Sequence, residues 1–384
     1  MVQCYNQKDK PGVLPASLLR FAEWGESRVL AAGIEPSTSA ENEKAEEEIA
    51  GRIRSRCAGM LELRPRQSIS TNKPAAYVDY LHQSVTDFLN KRDIWHKITA
   101  HTAGTSFIAN VAWLGALLMR LKRANVERWM PGNLLEMPDL IATAMSYALR
   151  AELSSNHAST ALLDELDCTM LFRTSNGSKE DIIGLNFLAM SVLNGLLLYV
   201  QEKLIVHGKQ MLTKTGKPLL GFARSPEMSE CLLRHGAQPN ETWGARGRSI
   251  WQDTLLQLRS TTSIRNAICL LPPLLQHGAD PNAYIEEKAE DTGLLQQRSA
   301  SRYLRSVVAE SIGSVEYKVG LEDLIKHLHA RGAQEEEWHM DEDGAWRKVY
   351  PTASESQPGA DRYSGRWRTE AGEYFITTDV SHEP

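Results

Sequence analysis

The sequence predicts a mostly α-helical protein. A small N-terminal segment mixes helices and strands, a helical middle follows, and degenerate helical repeats close the folded part. Three observations lead there. Between residues 107 and 206 apolar side chains recur at helical spacing in one segment after another. Residues 39–92 read as helix, strand, loop, strand, helix. From Gly216 onward a short motif built around Gly-Ala recurs three times.

With 384 residues the chain is long enough for two or three domains and a sizeable core. Hydrophobic content of 42% and charged content of 24% are those of an ordinary globular protein. A net charge of −5 argues against nucleic acid as a partner. Residues 334–384 hold 12 acidic and 5 basic residues, so the rest of the chain is near +2. The five cysteines, Cys4, Cys57, Cys168, Cys231 and Cys269, are odd in number, far apart and without a CxxC. They read as reduced, mostly buried thiols of an intracellular, cytoplasmic protein. MVQCYNQKDKPG at the start has no apolar core of a signal peptide.

The elements follow in order. Residues 1–38 read as a connecting segment, with Ala16–Leu30 expected as one helix after the breakers Pro11, Gly12 and Pro15. Residues 39–95 form a winged-helix-like domain. Its first helix opens with acids Glu41–Glu48 and carries Arg52, Arg54 and Arg56 toward its end, which suits the helix dipole. Ile49, Ile53, Cys57 and Met60 make its inward stripe. A strand is expected from Met60 to Leu63, then a polar connection Arg64–Lys73, then Tyr77–Trp95, where a strand turns into a helix at His82. Such a fold often binds DNA, but no basic recognition face stands out.

Residues 96–210 form a helical domain. Its segments are Phe107–Lys122, Pro138–Leu153, Ala158–Leu171 and Ile182–Leu204, with Trp113 and Trp129 expected as core fillers and Ser178–Asp181 as a capping box. Ile182–Val200 has the length of a bilayer span, but Asn186, Ser191 and Asn194 favour a buried core helix.

Residues 211–334 carry the repeats. Leu232–Asn240 reads LLRHGAQPN, Leu274–Asn282 reads LLQHGADPN, and Leu328–Glu336 reads LHARGAQEE. The first two resemble the end of an ankyrin repeat. Gly236-Ala237 and Gly278-Ala279 match the helix C-cap, and Pro239-Asn240 and Asp280-Pro281-Asn282 open the turn. Gly216–Ala223, GKPLLGFA, is similar to the ankyrin start, with Lys217 in place of Thr and Leu220 in place of His. Gly236, Gly278 and Gly332 are 42 and 54 residues apart, against a regular period of about 33, so the array carries insertions. His235 and His277 recur at one repeat position and are expected to be structural. Residues 335–384 form an acidic tail, with disorder expected over its Pro351–Gly365 stretch and either a small hairpin or a segment docked on another surface from Gly365.

No constellation for catalysis appears. GKQMLTKTGKP (Gly208–Pro218) has the wrong glycine spacing for a P-loop, and Pro218 stands where Ser or Thr would ligate magnesium. There is no G-x-S-x-G and no H-E-x-x-H. His327 and His329 point to different helix faces. HMDEDG (His339–Gly344) fails as a calcium loop, with His339 in its first position and Tyr350 in its twelfth. The expectation is a protein that is not an enzyme, with no cofactor of its own and no metal.

Five pieces occur in one order: Arg52–Leu63, Tyr77–Leu89, Arg150–Asp167, Leu196–Leu204 with Gly216–Leu220, and LLRHGAQPN with Arg248–Leu255. Together they resemble the region that follows the ATPase module in fungal NACHT-type signal-transducing proteins, relatives of the NOD-like receptors. The family pattern F-(I/L)-H-x-(S/T)-x-x-(D/E)-(F/Y)-L is occupied by Tyr80, Leu81, His82, Ser84, Asp87, Phe88 and Leu89. The resemblance implies that His82 can reach a bound nucleotide's phosphates and help hold a closed, ADP-bound form. No P-loop or Walker B strand precedes it here. The chain is therefore expected either to be a fragment or to work with a NACHT ATPase in trans. The function this implies is a protein–protein interaction arm, with partner surfaces expected at Asn240–Arg248 and Asn282–Glu287. An enzyme with an unrecognised site, and a membrane-associated protein using residues 182–200, are the rival classes.

Overall fold

β1 (Leu14–Pro15) is only two residues long, yet it frames the first module by pairing antiparallel with β3 (Pro74–Tyr80), Leu14 opposite Val78. On its other side β3 pairs with β2 (Leu61–Gln67), giving the sheet order β1-β3-β2. Between β1 and β2 run α1 (Ala16–Ala22), α2 (Glu26–Ala31) and α3 (Ser39–Arg56). The sheet and the helices packed with it take in residues 14–31, which the boundary expected at residue 39 leaves in a connecting segment. The structure is a computed structural model. It describes residues 14–67, 74–101, 104–124, 136–175, 186–212, 216–260, 264–288, 295–310, 315–341, 344–351, 367–369 and 372–374. The chain forms two compact units, residues 1–203 and 204–384, and is mostly helical, as predicted.

In the first unit the single helix expected over Ala16–Leu30 is two. It breaks at Glu23–Gly25 because Gly25 takes extended backbone as the N-cap of α2. Trp24 at the break lies edge-on to Phe21, 5.3 Å between ring centres, and under the Arg28 guanidinium at 3.8 Å. α3 starts on a capping box. The Glu41 amide donates to Thr38 Oγ1 at 3.2 Å, and the Thr38 amide donates to Glu41 Oε2 at 2.8 Å. Ala45, Ile49 and Ile53 are its buried stripe, while Cys57 and Met60 are half-buried. The polar connection expected from Arg64 starts later, since pairing holds out to Gln67 opposite Pro74. After β3 come α4 (Gln83–Leu89) and α5 (Arg92–Ala100).

α6 (Ala109–Arg123) is buried almost all round, with Trp113, Leu114, Leu117, Leu118 and Leu121 at most 2% exposed. α1, α7 (Glu136–Ser155) and α8 (Thr160–Ser175) pack on it. Near its end lies Lys122, 0% exposed. Its ammonium donates to Val29 O at 3.0 Å and Ala32 O at 2.7 Å, closing the C-terminus of α2, and pairs with Glu165 of α8 at 2.6 Å.

The apolar stretch expected as one helix over Ile182–Leu204 is also two in its described part, α9 (Phe187–Leu193) and α10 (Leu197–His207). Asn194 caps the first, and Gly195 turns the chain at φ +77°. Glu152 of α7, 4% exposed, then accepts from the amides of Leu198 (3.1 Å) and Tyr199 (3.0 Å), capping α10 from another helix. Burial pushes the Glu152 carboxyl up, against the pull of those two bonds. No described helix is long and apolar enough to cross a membrane.

The second unit alternates helices and hairpins. α11 (Pro226–Arg234) leads to the hairpin β4 (Thr242–Trp243) and β5 (Arg248–Ser249). α12 (Ile250–Leu256) and α13 (Ile264–Gln276) lead to β6 (Tyr284–Lys288) and β7 (Leu295–Ser299). α14 (Ala300–Glu310) and α15 (Val315–Ala330) lead to β8 (Glu337–Met340) and β9 (Trp346–Pro351), followed by β10 (Trp367–Thr369) and β11 (Gly372–Tyr374). The later hairpins join in one antiparallel sheet, β11-β10-β9-β8-β7-β6. The hairpin, one of the two forms expected after Gly365, is present in its described residues, Trp367 opposite Tyr374. Trp129, Ser178–Asp181, Cys4 and the expected disordered stretch beyond Pro351 lie outside the described residues. Of the other cysteines, Cys57 and Cys231 are half-buried and Cys168 and Cys269 exposed, so the thiols are not mostly buried. Cys168 and Cys269 fall between the buried stripes of α8 and α13.

Replacing Lys122 by Met should leave two helix-end carbonyls and the Glu165 carboxylate unanswered. A loss of about 3 kcal/mol is expected in urea unfolding followed by circular dichroism. A change below about 0.5 kcal/mol would show that the ammonium is dispensable.

Candidate functional site

Three helix ends built alike organise the second unit. Gly236, Gly278 and Gly332 adopt φ of +99°, +91° and +82°. The next residue in each case, Ala237, Ala279 or Ala333, donates its amide to the carbonyl of Leu232, Leu274 or Leu328, each at 3.0 Å. Each is a Schellman cap, which needs a residue free to take positive φ. The third copy lacks the Pro-Asn of the others but has the same cap.

An asparagine then ties each turn to the next. Asn240 donates to Gly278 O at 2.8 Å and accepts from the Asp280 amide at 2.9 Å. Asn282 repeats this one unit on, donating to Gly332 O at 3.5 Å and accepting from the Gln334 amide at 2.8 Å. The histidines are wired locally. His235 Nδ1 lies 2.8 Å from Cys231 O of its own helix, and His277 Nε2 lies 3.1 Å from Glu230 of the preceding repeat. At the matching position in the third copy, Arg331 donates to Leu275 O. Pro239 and Pro281 lead into the clamping asparagines.

This stacking brings together the two stretches expected as partner surfaces. Arg246, Gly247 and Arg248 of the first hairpin and Tyr284 to Lys288 of β6 line one concavity of about 810 Å³. Gln252, which the sequence reading did not single out, donates to Tyr284 O at 2.7 Å and fixes β6 against α12. β6 ends the six-stranded sheet, so its outer edge has no strand partner among the described residues.

The charges there are unevenly answered. Glu287 pairs with Arg298 at 2.9 Å and with Arg259 at 3.4 Å, and Arg298 pairs in turn with Glu337 at 2.9 Å. Among the described residues the side chains of Arg246, Arg248 and Lys288 make no ion pair or hydrogen bond. Glu286 meets Gln297 at 3.3 Å. Among the described residues the concavity therefore offers surplus positive charge beside an unpaired strand edge.

Glu337 anchors the network that holds β6. Its side chain is 5% exposed and also meets Arg302 at 3.1 Å and His339 at 3.0 Å. Burial alone would raise its pKa. The His339 hydrogen bond and the Arg298 and Arg302 guanidiniums outweigh burial and hold it at about 2.

Nearby, Ser301, His329 and Glu335 have the residue types of a hydrolase triad but not its wiring. Ser301 Oγ (3.0 Å) and Glu335 Oε1 (2.9 Å) both meet His329 Nε2, so the ring cannot relay a proton between them. No group of three or more His, Cys, Asp or Glu poised for a metal occurs among the described residues.

In the first unit the sequence-predicted histidine is an N-cap. His82 is exposed, and its Nδ1 accepts from the Ser84 amide at 3.1 Å at the start of α4. Asp87 accepts from Gln83 at 3.2 Å. Tyr80 ends β3, Leu81 and Phe88 are 49% and 44% exposed, and Leu89 is half-buried. α4 and α5 bury no residue.

Residues 13–130 match a domain of unknown function, DUF7791. The matched stretch runs from β1 past the end of α6. No curated protein and no solved structure matches the chain.

Two outcomes follow. Asn240→Ala and Asn282→Ala should each cost about 1 kcal/mol and speed hydrogen exchange at the amide the asparagine accepts from, Asp280 or Gln334. Unchanged exchange there would deny the clamp. Glu337 titrates low when folded. Its stabilising effect is therefore complete above the ordinary glutamate range, near 4.5, and is lost as pH falls toward about 2. The effect is worth roughly 3 kcal/mol, and acid titrations of Glu337→Gln should lack that slope.

Proposed function

We propose that the chain is a non-catalytic protein-interaction arm that regulates a NACHT-type ATPase located outside the described residues. The observation that carries this reading is the concavity between successive repeat turns. Repeat stacks bind through surfaces assembled from neighbouring units. This one sets Arg246, Arg248 and Lys288 beside the outer edge of β6, which has no strand partner among the described residues. An acidic, extended segment of the partner suits it, pairing its backbone with β6 and its carboxylates with the three cations.

The resemblance at Tyr80–Leu89 supports the choice of partner. In this reading His82 leaves its cap on Ser84 to donate to a phosphate when another polypeptide supplies the nucleotide.

The test uses the full chain with a purified fungal NACHT-type ATPase module. We expect a complex by sedimentation, weakened at least tenfold by Arg246→Glu with Arg248→Glu. ADP should not bind the chain alone by calorimetry. Tight ADP binding by the chain alone, or association indifferent to the double reversal, would overturn the reading.

A further inference from the structure

A second cavity lies wholly within the residues that match the domain of unknown function. It is a solvent-open cleft of about 300 Å³ beside the α4–α5 pair. Ile49 and Ile53 of α3 and Met60 form one side, and Leu89, Trp95 and Ile98 face them from α4 and α5. Ile49 and Ile53 are buried, but Ile98 remains 42% exposed, and no residue of α4 or α5 is buried. Two helices thus sit beside an apolar space they do not fill. Close packing is the norm in protein interiors, so such a space favours an apolar filler.

The lining also carries charge, and it is one-sided. Glu23 and Arg52 line the cavity and pair with each other. Arg56 lines it too, one helical turn beyond Arg52, and has no ion pair or hydrogen bond among the described residues. A guanidinium without a counter-ion beside an apolar space fits a ligand with an aliphatic body and an anionic head, and a carboxylate matches its planar fork.

We propose that this cavity binds a free medium-chain aliphatic carboxylate, its chain against Ile49, Ile53, Trp95 and Ile98 and its head on Arg56. At about 30 Å³ per small group the space holds roughly ten such groups. The size sets a chain-length limit as well as a chemical class.

The test titrates the full chain with octanoate, decanoate and longer saturated carboxylates below their micelle concentrations, reading Trp95 fluorescence and calorimetry. Affinity should rise about fourfold per methylene and stop rising near ten carbons. Trp95→Phe should remove the fluorescence change but leave calorimetric binding. Arg56→Gln, at an exposed position, should weaken decanoate about tenfold and leave decanol unaffected. No saturable binding at millimolar decanoate would overturn the proposal. So would affinity that climbs without a limit, or equal loss of acid and alcohol in Arg56→Gln. Phosphatidylglycerol vesicles should not co-sediment with the chain, and co-sedimentation abolished by Arg56→Gln would overturn the free carboxylate in favour of a membrane lipid.

Discussion

One asparagine in each of the first two repeats carries the geometry of the second unit. Its amide meets both a carbonyl and an amide of the next helix cap, so the two turns are held in a single relative position. The cap it grips is itself fixed by a glycine at positive φ and by a reach-back bond to leucine. Nothing in this coupling depends on the length of chain between one cap and the next. Intervals of 42 and 54 residues are therefore compatible with one stack, and each interval holds a hairpin, β4–β5 in the first and β6–β7 in the second. Where the later hairpins meet edge to edge they make a sheet, and β6, at one end of it, has no strand partner on its outer side among the described residues.

How much of this was legible follows from how local each cause is. The caps were legible because Leu-Leu-X-His-Gly-Ala specifies a Schellman end by itself. The third copy, with Arg331 for His and Glu335-Glu336 for Pro-Asn, kept the parts that matter to the cap and lost only those that make the clamp onward. The inward stripe of α3 was legible for the same reason. The break at Gly195 was not, because what makes it stable is Glu152, more than forty residues earlier, capping α10 from another helix. The shortness of α1 was hidden in a similar way. Apolar spacing runs through Trp24, and the decision to stop lies with one glycine and an aromatic pair.

The candidate surfaces divide along the same line. The turns at Asn240–Arg248 and Asn282–Glu287 were visible as turns, but only the fold places them on one concavity and adds Gln252 and Lys288. The cavity beside α4 and α5 had no single motif. It joins α1, α3, the ends of β2 and β3, and α5, and its only trace in the sequence is Arg52 and Arg56 at helical spacing beside Ile49 and Ile53. His82 shows the reverse case. Its motif was clear, but in the fold its ring is occupied with the start of α4.

Both surfaces present unpaired cations among the described residues in a chain whose net charge is −5. Net charge fails to foretell this because carboxylates and guanidiniums are not used alike. Glu287 and Glu337 are drawn inside, each shared between arginines that hold the sheet, and Glu165 is held by the buried Lys122. A carboxylate taken into such a network needs charged or hydrogen-bonding partners, since burying it alone is costly. Arginine and lysine, by contrast, can rest their aliphatic stems on apolar surface and keep the charge at the rim. The sorting leaves Arg56 at one cavity and Arg246, Arg248 and Lys288 at the other with no ion pair among the described residues. The local sign of each surface is thus set by which acids the fold consumes, and not by how many the sequence contains.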